Sequence, residues 1–160
     1  MNLRQWEMKA KVGKIFLVAS ETGLRGLYFK RQRVPMLKSL RDSGAVARIL
    51  AQCVTELDEY FDGRRKKFEL PLEYEGTEFQ NRVWSELRKI PYGKTCSYQE
   101  LAVRVKKHKA YRAVGTANGR NRLSIVIPCH RVINANGKLG GYGGGLVVKT
   151  RLLELEREFS

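Results

Sequence analysis

The sequence has four prolines, three cysteines and two histidines in 160 residues, and no long apolar run. Each shortage excludes something. Its longest apolar stretches, such as Ile15 to Ala19, fall far short of the roughly 18 residues that span a bilayer, so no transmembrane helix is expected. Arg4, Glu7, Lys9 and Lys11 interrupt the N-terminal segment, which therefore lacks the apolar centre of a secretory signal. The expected location is the cytoplasm, or the nucleus if the source is a eukaryote, with no membrane partner. Cys53, Cys96 and Cys129 are odd in number and widely spaced, with no Cys-x-x-Cys pair, which argues against a disulfide framework and against a zinc site. Few prolines, 42% hydrophobic and 29% charged residues describe a globular chain, neither disordered nor collagenous. At this length it makes one ordinary domain or two small ones, and is too short for a barrel enzyme.

Negative charge is the other scarce commodity. Thirty-one Lys and Arg against sixteen Asp and Glu give +15, split as +5 over residues 1 to 75 and +10 over 76 to 160. Between Leu101 and Leu153 there are eleven basic residues and no acid. Such a stretch presents a positive surface to phosphates, so nucleic acid leads the expected partners. A basic surface kept for solubility is the rival reading.

The pattern of what is present divides the chain. Trp6, Met8, Ala10 and Val12 alternate, Gly13-Lys14 offers a turn, and Ile15 to Ala19 and Leu24 to Phe29 follow, which predicts a three-stranded antiparallel meander. From Ser43, Val46, Ile49, Leu50, Cys53, Val54, Leu57 and Phe61 recur at helical spacing up to Gly63, placing Cys53 in a core. The basic run Arg64 to Lys67 reads as a solvated face. Residues 68 to 76 read as a connection, giving domains over 1–70 and 75–160.

In the second half, Thr77-x-x-Gln80 is a capping box before a helix with Phe79, Val83, Trp84, Leu87 and Ile90 on its apolar face. Ser97-x-x-Glu100 opens a second short helix, and Lys106 to Lys109 turn the chain into a third, from Ala110 to about Gly119. Two short helices across a tight basic turn suggest helix-turn-helix. A short strand is expected over Ser124 to Ile127, a hairpin at Asn136-Gly137, a glycine-rich loop over Gly140 to Gly145, and a closing helix from Leu146 with Val148, Leu152 and Leu155 inward.

Cys129 stands between Pro128 and His130. A thiol attacks as thiolate, so a neighbouring base is meaningful. On an extended strand adjacent side chains point to opposite faces, so His130 could reach the sulfur only across a backbone break, which Pro128 can supply. Taken alone, the dipeptide fits a buried structural cysteine better.

Ile127-Pro128-Cys129-His130-Arg131-Val132-Ile133 resembles the active-site signature of the O6-alkylguanine-DNA alkyltransferases. Gly76 to Ala102, with Phe79-Gln80, Val83-Trp84, Ile90-Pro91-Tyr92-Gly93 and Ser97-Tyr98, is similar to the same family, as are Arg112-Ala113-Val114-Gly115 with Asn121 and Tyr142 to Leu146. The four blocks stand in family order and spacing over 76 to about 156.

The resemblance implies a ribonuclease-H-like α/β N-terminal subdomain and a winged-helix-like C-terminal domain. It implies repair of O6-alkylguanine, and of O4-alkylthymine as an open question, by single-use transfer of the alkyl group to Cys129. His130 would be the base, polarised through water by Glu156, and Tyr98 the donor to the departing guanine. Without the family, Glu156 reads as an exposed helix charge and Tyr98 equally well as a half-buried tyrosine. Arg112 would enter the duplex as the base is flipped from the minor groove. Ala113, Gly115, Ala117, Gly119 and Arg120, with Ser97 and Tyr98, would meet DNA, close helix packing being the alternative for the small residues. Asn121 would tie the recognition helix to the active-site segment, and Tyr142, Gly143, Gly144 and Val132 would wall the alkyl pocket. No cofactor and no metal are implied, and the acting form would be a monomer on double-stranded DNA. The chain departs from the family at Arg122, Ser124 and His108, where proline is common. A cysteine-free damage sensor, an architectural helix-turn-helix protein and a Cys-His hydrolase are the rivals.

Overall fold

The computed structural model describes residues 1–160, which form two compact units, Met1–Tyr74 and Glu75–Ser160. The first is built on an antiparallel meander of β1 (Arg4–Ala10), β2 (Gly13–Ala19) and β3 (Leu24–Tyr28), in that order. Met8 faces Ile15 and Trp6 faces Leu17 in the register. The first turn falls two residues earlier than the pattern predicts. Ala10 pairs with Gly13, so Lys11 and Val12 make the turn, and Gly13 opens β2 at φ 108, a conformation suited to glycine.

Both edges of this meander are covered. Gln5 bridges to Met36, and Leu24 bridges to Leu72 with backbone bonds from Leu24 N to Pro71 O and from Glu73 N to Leu24 O. Covering the edges removes the unpaired backbone groups that promote aggregation, and it draws the expected connecting segment up to residue 73 into the first unit. Helix α1 (Ala45–Phe61) buries Val46, Ile49, Leu50, Cys53, Leu57 and Phe61, as its spacing predicts. It also buries Glu56, whose carboxylate takes Glu69 N and Gln52 Nε2. The Arg64 to Lys67 run is only partly a solvated face. Arg65 is half-buried against Glu56, Glu59 and Glu69, and Arg64 pairs with Asp62.

The second unit begins with α2 (Glu78–Leu87), whose capping box is complete: Thr77 Oγ1 accepts from Gln80 N, and Thr77 N donates to Gln80 Oε1. Helices α3 (Tyr98–Arg104) and α4 (Tyr111–Gly119) pack on each other, and α2 packs on α4 with Trp84 Nε1 donating to Ala117 O. Two short parallel strands, β4 (Cys96–Ser97) and β5 (Val132–Ile133), join the start of α3 to the segment after Cys129. Helix α5 (Leu146–Phe159) closes the chain.

Three expectations change here. Ser124 to Ile127 is a turn, not a strand, with Ile127 N bonded to Leu123 O and Ile125 at φ 72. Leu123, Ser124, Ile125, Val126 and Ile127 are all buried, so the run carries no alternation that could distinguish a strand from a buried turn. Asn136-Gly137 forms a closed turn, through Gly137 N to Asn134 O and Asn134 N to Lys138 O, without a strand pair beyond it. In α5 the buried face is Lys149, Leu152 and Glu156, whereas Val148 and Leu155 are half-buried. No helix is long and apolar enough to cross a membrane.

Candidate functional site

Pro128 breaks the chain and Cys129–Arg131 form one 3-10 turn, so the backbone is irregular where the Cys-His pair needs it to be. Cys129, His130 and Arg131 are all buried. Glu156, two turns along α5 from Lys149, is buried opposite them. Its Oε2 lies 2.6 Å from His130 Nε2, and Arg131 grips both oxygens, Nε to Oε1 at 2.8 Å and Nη2 to Oε2 at 3.1 Å. Gly93 N adds a fourth bond to Oε1 at 3.2 Å, and Arg131 Nη1 donates to Ile90 O at 2.8 Å. The expected water between Glu156 and His130 has no place, because the contact is direct. Gly93, at φ 77, brings its backbone close enough that a Cβ there would lie 2.5 Å from Ser160 Cβ.

The charges follow from these contacts. Burial alone would raise the Glu156 carboxyl, but the bonds from His130 and Arg131 hold it well below the usual carboxylate range. Burial pushes the His130 imidazolium down, against the pull of Glu156. The site therefore holds an ionised carboxylate and a neutral imidazole. A carboxylate can only accept, so the imidazole proton sits on Nε2. Nδ1 is then the basic nitrogen, and it is buried with no hydrogen-bond partner from the protein.

Burial raises the Cys129 thiol, opposed by the Asn121 amide, the Lys149 charge and the Ser124 hydroxyl. Asn121 is fixed by its own bonds, Nδ2 to Ile127 O at 2.8 Å and Oδ1 from Leu123 N at 3.0 Å, so it spans the turn that precedes the thiol. Asn118, buried on α4, points Nδ2 at Cys129 O at 3.4 Å. Lys149 is fully buried, and its ammonium donates to Val132 O at 2.7 Å, Gly141 O at 3.2 Å and Leu139 O. Three donors meet three carbonyls. Burial brings its pKa down to about 8.

Above the thiol opens a cavity of about 290 Å³ lined by Tyr98, Gly115, Asn118, Gly119, Asn121, Ser124, Cys129, Gly141, Tyr142 and Gly143. Tyr98 begins α3 beneath the cap that Ser97 makes to Glu100 N, and a Cβ on Gly140 would come within 3.2 Å of its hydroxyl. The Tyr142 ring meets His130 edge-on, centroids 6.5 Å apart. Burial raises both tyrosines, so both are hydroxyl donors. Gly144 and Val132 do not line the cavity. Val132 is buried, and its carbonyl serves Lys149.

The expected DNA-facing residues divide likewise. Arg112, Ala113, Gly119 and Arg120 are exposed on α4, while Gly115 is half-buried beside the Tyr98 ring. Ala117 and Ser97 are buried, the first packed under Trp84 and the second spent on the helix cap. Lys149 and Asn118 escaped the sequence reading, which gave Arg131 no role beyond its place in the signature and named Ser124 only where proline is common. Nothing in local pattern marks a buried lysine or arginine, since both residue types normally read as surface. No group of three or more His, Cys, Asp or Glu is placed to hold a metal ion.

Residues 7–74 match the 6-O-methylguanine DNA methyltransferase, ribonuclease-like domain, and residues 78–158 match the 6-O-methylguanine DNA methyltransferase, DNA binding domain. The chain is 44% identical over 153 residues to the methylated-DNA–protein-cysteine methyltransferase of Methanosarcina barkeri, covering 93% of this chain and 94% of that one. It is 42% identical to the inducible enzyme of that name from Bacillus subtilis, over 92% of this chain and 81% of the relative. Among solved structures, Mycobacterium tuberculosis OGT in complex with DNA superposes with a TM-score of 0.84 at 37% identity, covering 100% of this chain and 95% of that one. With both halves matched and the buried Cys-His-Glu cluster set beneath a small cavity, the chain belongs to the 6-O-methylguanine DNA methyltransferase family.

Proposed function

We propose that the protein repairs O6-alkylguanine in double-stranded DNA by moving the alkyl group to Sγ of Cys129, once per molecule. The observation that carries this reading is a buried thiol at the floor of a cavity lined in part by α4, next in the chain to a histidine that Glu156 holds in place. Glu156 and Arg131 orient His130 so that Nδ1 takes the thiol proton, relayed by solvent. The sulfur then attacks the alkyl carbon in line. The new C–S bond forms as the C–O6 bond breaks, and the electron pair stays on the purine. Tyr98 donates to the purine as that charge develops, the preorganised donation that lowers such barriers. The product thioether has no leaving group that water displaces at neutral pH, so the site is consumed.

A cavity of this size takes a base but not a base pair, so the nucleotide must leave the stack. Arg112, exposed in the first turn of α4, is suited to fill the gap. The N-terminal end of α4 carries no acidic residue and no side-chain cap, which leaves its backbone N–H groups for phosphate.

The test is peptide mass spectrometry after mixing the protein with a duplex bearing one O6-methylguanine. One methylene mass on the Cys129 peptide, saturating at one per protein and absent in Cys129→Ala, is the expected result. Lesion binding with Cys129 left unmodified would make the protein a damage sensor instead.

A further inference from the structure

Helix α4 lines the cavity over Cys129 with Gly115, Asn118 and Gly119. Gly115 and Asn118 stand three residues apart, so they share a face of the helix. The bare Gly115 admits the Tyr98 ring, since a Cβ there would meet Tyr98 Cδ1 at 3.7 Å and Cε1 at 3.8 Å. Gly140 makes room at the other end of the ring, where a Cβ would come within 3.2 Å of the hydroxyl. Two glycines thus set the Tyr98 phenol beside Asn118, the one polar side chain that α4 offers to the cavity.

The Asn118 amide is buried, and its nitrogen makes both of its contacts. Nδ2 points at Cys129 O at 3.4 Å, and a carbonyl oxygen only accepts, which fixes the nitrogen on that side. Burial and the charge of Cys129 push the Tyr98 phenol up, whereas a side-chain hydrogen bond from Asn118 pulls it down. A contact that pulls a phenol down favours its anion, so here too the amide donates. Oδ1 is left buried with no hydrogen-bond partner. Such an oxygen is a standing cost that an apolar side chain of the same size would not incur. A residue that breaks a packing rule with no internal gain points to function.

A phenol has one hydrogen to give. With Asn118 donating to its oxygen, the Tyr98 hydrogen is turned away from the amide and is free for the purine. We infer that Asn118 is a positioning residue for alkyl transfer: its amide donates to the Tyr98 hydroxyl, directs the phenol hydrogen into the cavity, and steadies the phenol oxygen as Tyr98 donates to the departing guanine. The inference rests on the repair reading above.

The experiment measures single-turnover methyl transfer from a duplex bearing one O6-methylguanine, for the wild type, Asn118→Leu, Tyr98→Phe and the double variant. Asn118→Leu keeps the volume and discards the unpaired oxygen, so it should melt no lower than the wild type. Its maximal rate should fall about tenfold, the weight of one hydrogen bond to an oxygen that gains charge, with the half-saturating concentration nearly unchanged. Asn118→Ala, smaller on every side, should repeat the loss of rate. In Tyr98→Phe the amide has no hydroxyl to serve, so adding Asn118→Leu should cost less than about twofold. Iodoacetamide labelling of Cys129 should be equal in the wild type and Asn118→Leu, which separates help to Tyr98 from an effect on the thiol through the Cys129 carbonyl. Equal losses with and without the Tyr98 hydroxyl, labelling slowed in step with transfer, or a loss confined to the half-saturating concentration would each overturn the inference. Wild-type protein that leaves Cys129 unmodified would defeat the repair reading and this inference with it, whereas an active wild type with independent losses defeats the inference alone.

Discussion

The two units handle buried charge in opposite ways. In Met1–Tyr74 the buried polar groups are closed structural joints: Gln5 ties Gln32 and Val34, and Glu56 takes Glu69 N and Gln52. Its half-buried arginines are held by its own carboxylates, Arg25 by Glu73 and Arg65 by three partners. In Glu75–Ser160 the buried ionic groups converge on one place, with Glu156, Arg131, His130 and Lys149 around Cys129, while the cations of the α3–α4 turn stay unpaired. Burying a charge costs heavily unless it is paired. The first unit meets that cost to hold a loop and an edge. The second meets it to hold a base, a thiol and a pocket wall.

The largest way to break the contrast is Glu156→Gln. It leaves Arg131 as a buried cation without its carboxylate, which should cost about 3 kcal/mol in urea unfolding and nearly all methyl transfer. The counterpart in the first unit, Glu59→Gln, leaves half-buried Arg65 its other two partners and should cost under about 1 kcal/mol.

Acid sharpens the same comparison. The folded Glu156 carboxyl is held below its unfolded value, so its stabilisation is present above pH of about 4.3 and is lost as pH falls through the lower folded value. The folded imidazole of His130 also lies below its unfolded value, so the unfolded chain binds more protons and stability already declines below about pH 6.5. Denaturation profiles of Glu156→Gln should lose most of the acid slope near pH 4, which Glu59→Gln should keep.

Lys149→Met comes next. It strips three carbonyls of their donor, for about 2 kcal/mol of stability, and removes a positive charge that favours the thiolate. Iodoacetamide labelling of Cys129 should slow, with its pH midpoint displaced upward. Above pH 8 the wild type should gain stability relative to the variant up to the ordinary lysine range, because the unfolded lysine then binds the proton that the folded one has released. The smallest effect is expected for Ser124→Ala. Losing one hydroxyl beside the thiol, worth about 1 kcal/mol, should slow single-turnover transfer roughly fivefold without changing DNA affinity.

Much of this protein was legible from its residues. The meander, α1 with Cys53 in its core, the capping box of α2 and the helix-turn-helix spacing follow from periodicity and caps, which are local and cost nothing to read at a distance. The Pro128 break was legible too, and with the family signature it singled out Cys129, His130 and Glu156. The turn at Ser124 to Ile127 was not, because a wholly buried apolar run has the same pattern whether extended or folded back.

What the sequence determined by itself was most of the elements and the surplus of positive charge. Tertiary structure alone decided that α5 turns Lys149 and Glu156 inward, that Arg131 shares the Glu156 carboxylate with His130, and that the glycine loop is tied to the ammonium of Lys149. The reason is physical. A charged side chain is stable inside only when partners from distant segments arrive together, and no local pattern records that arrival.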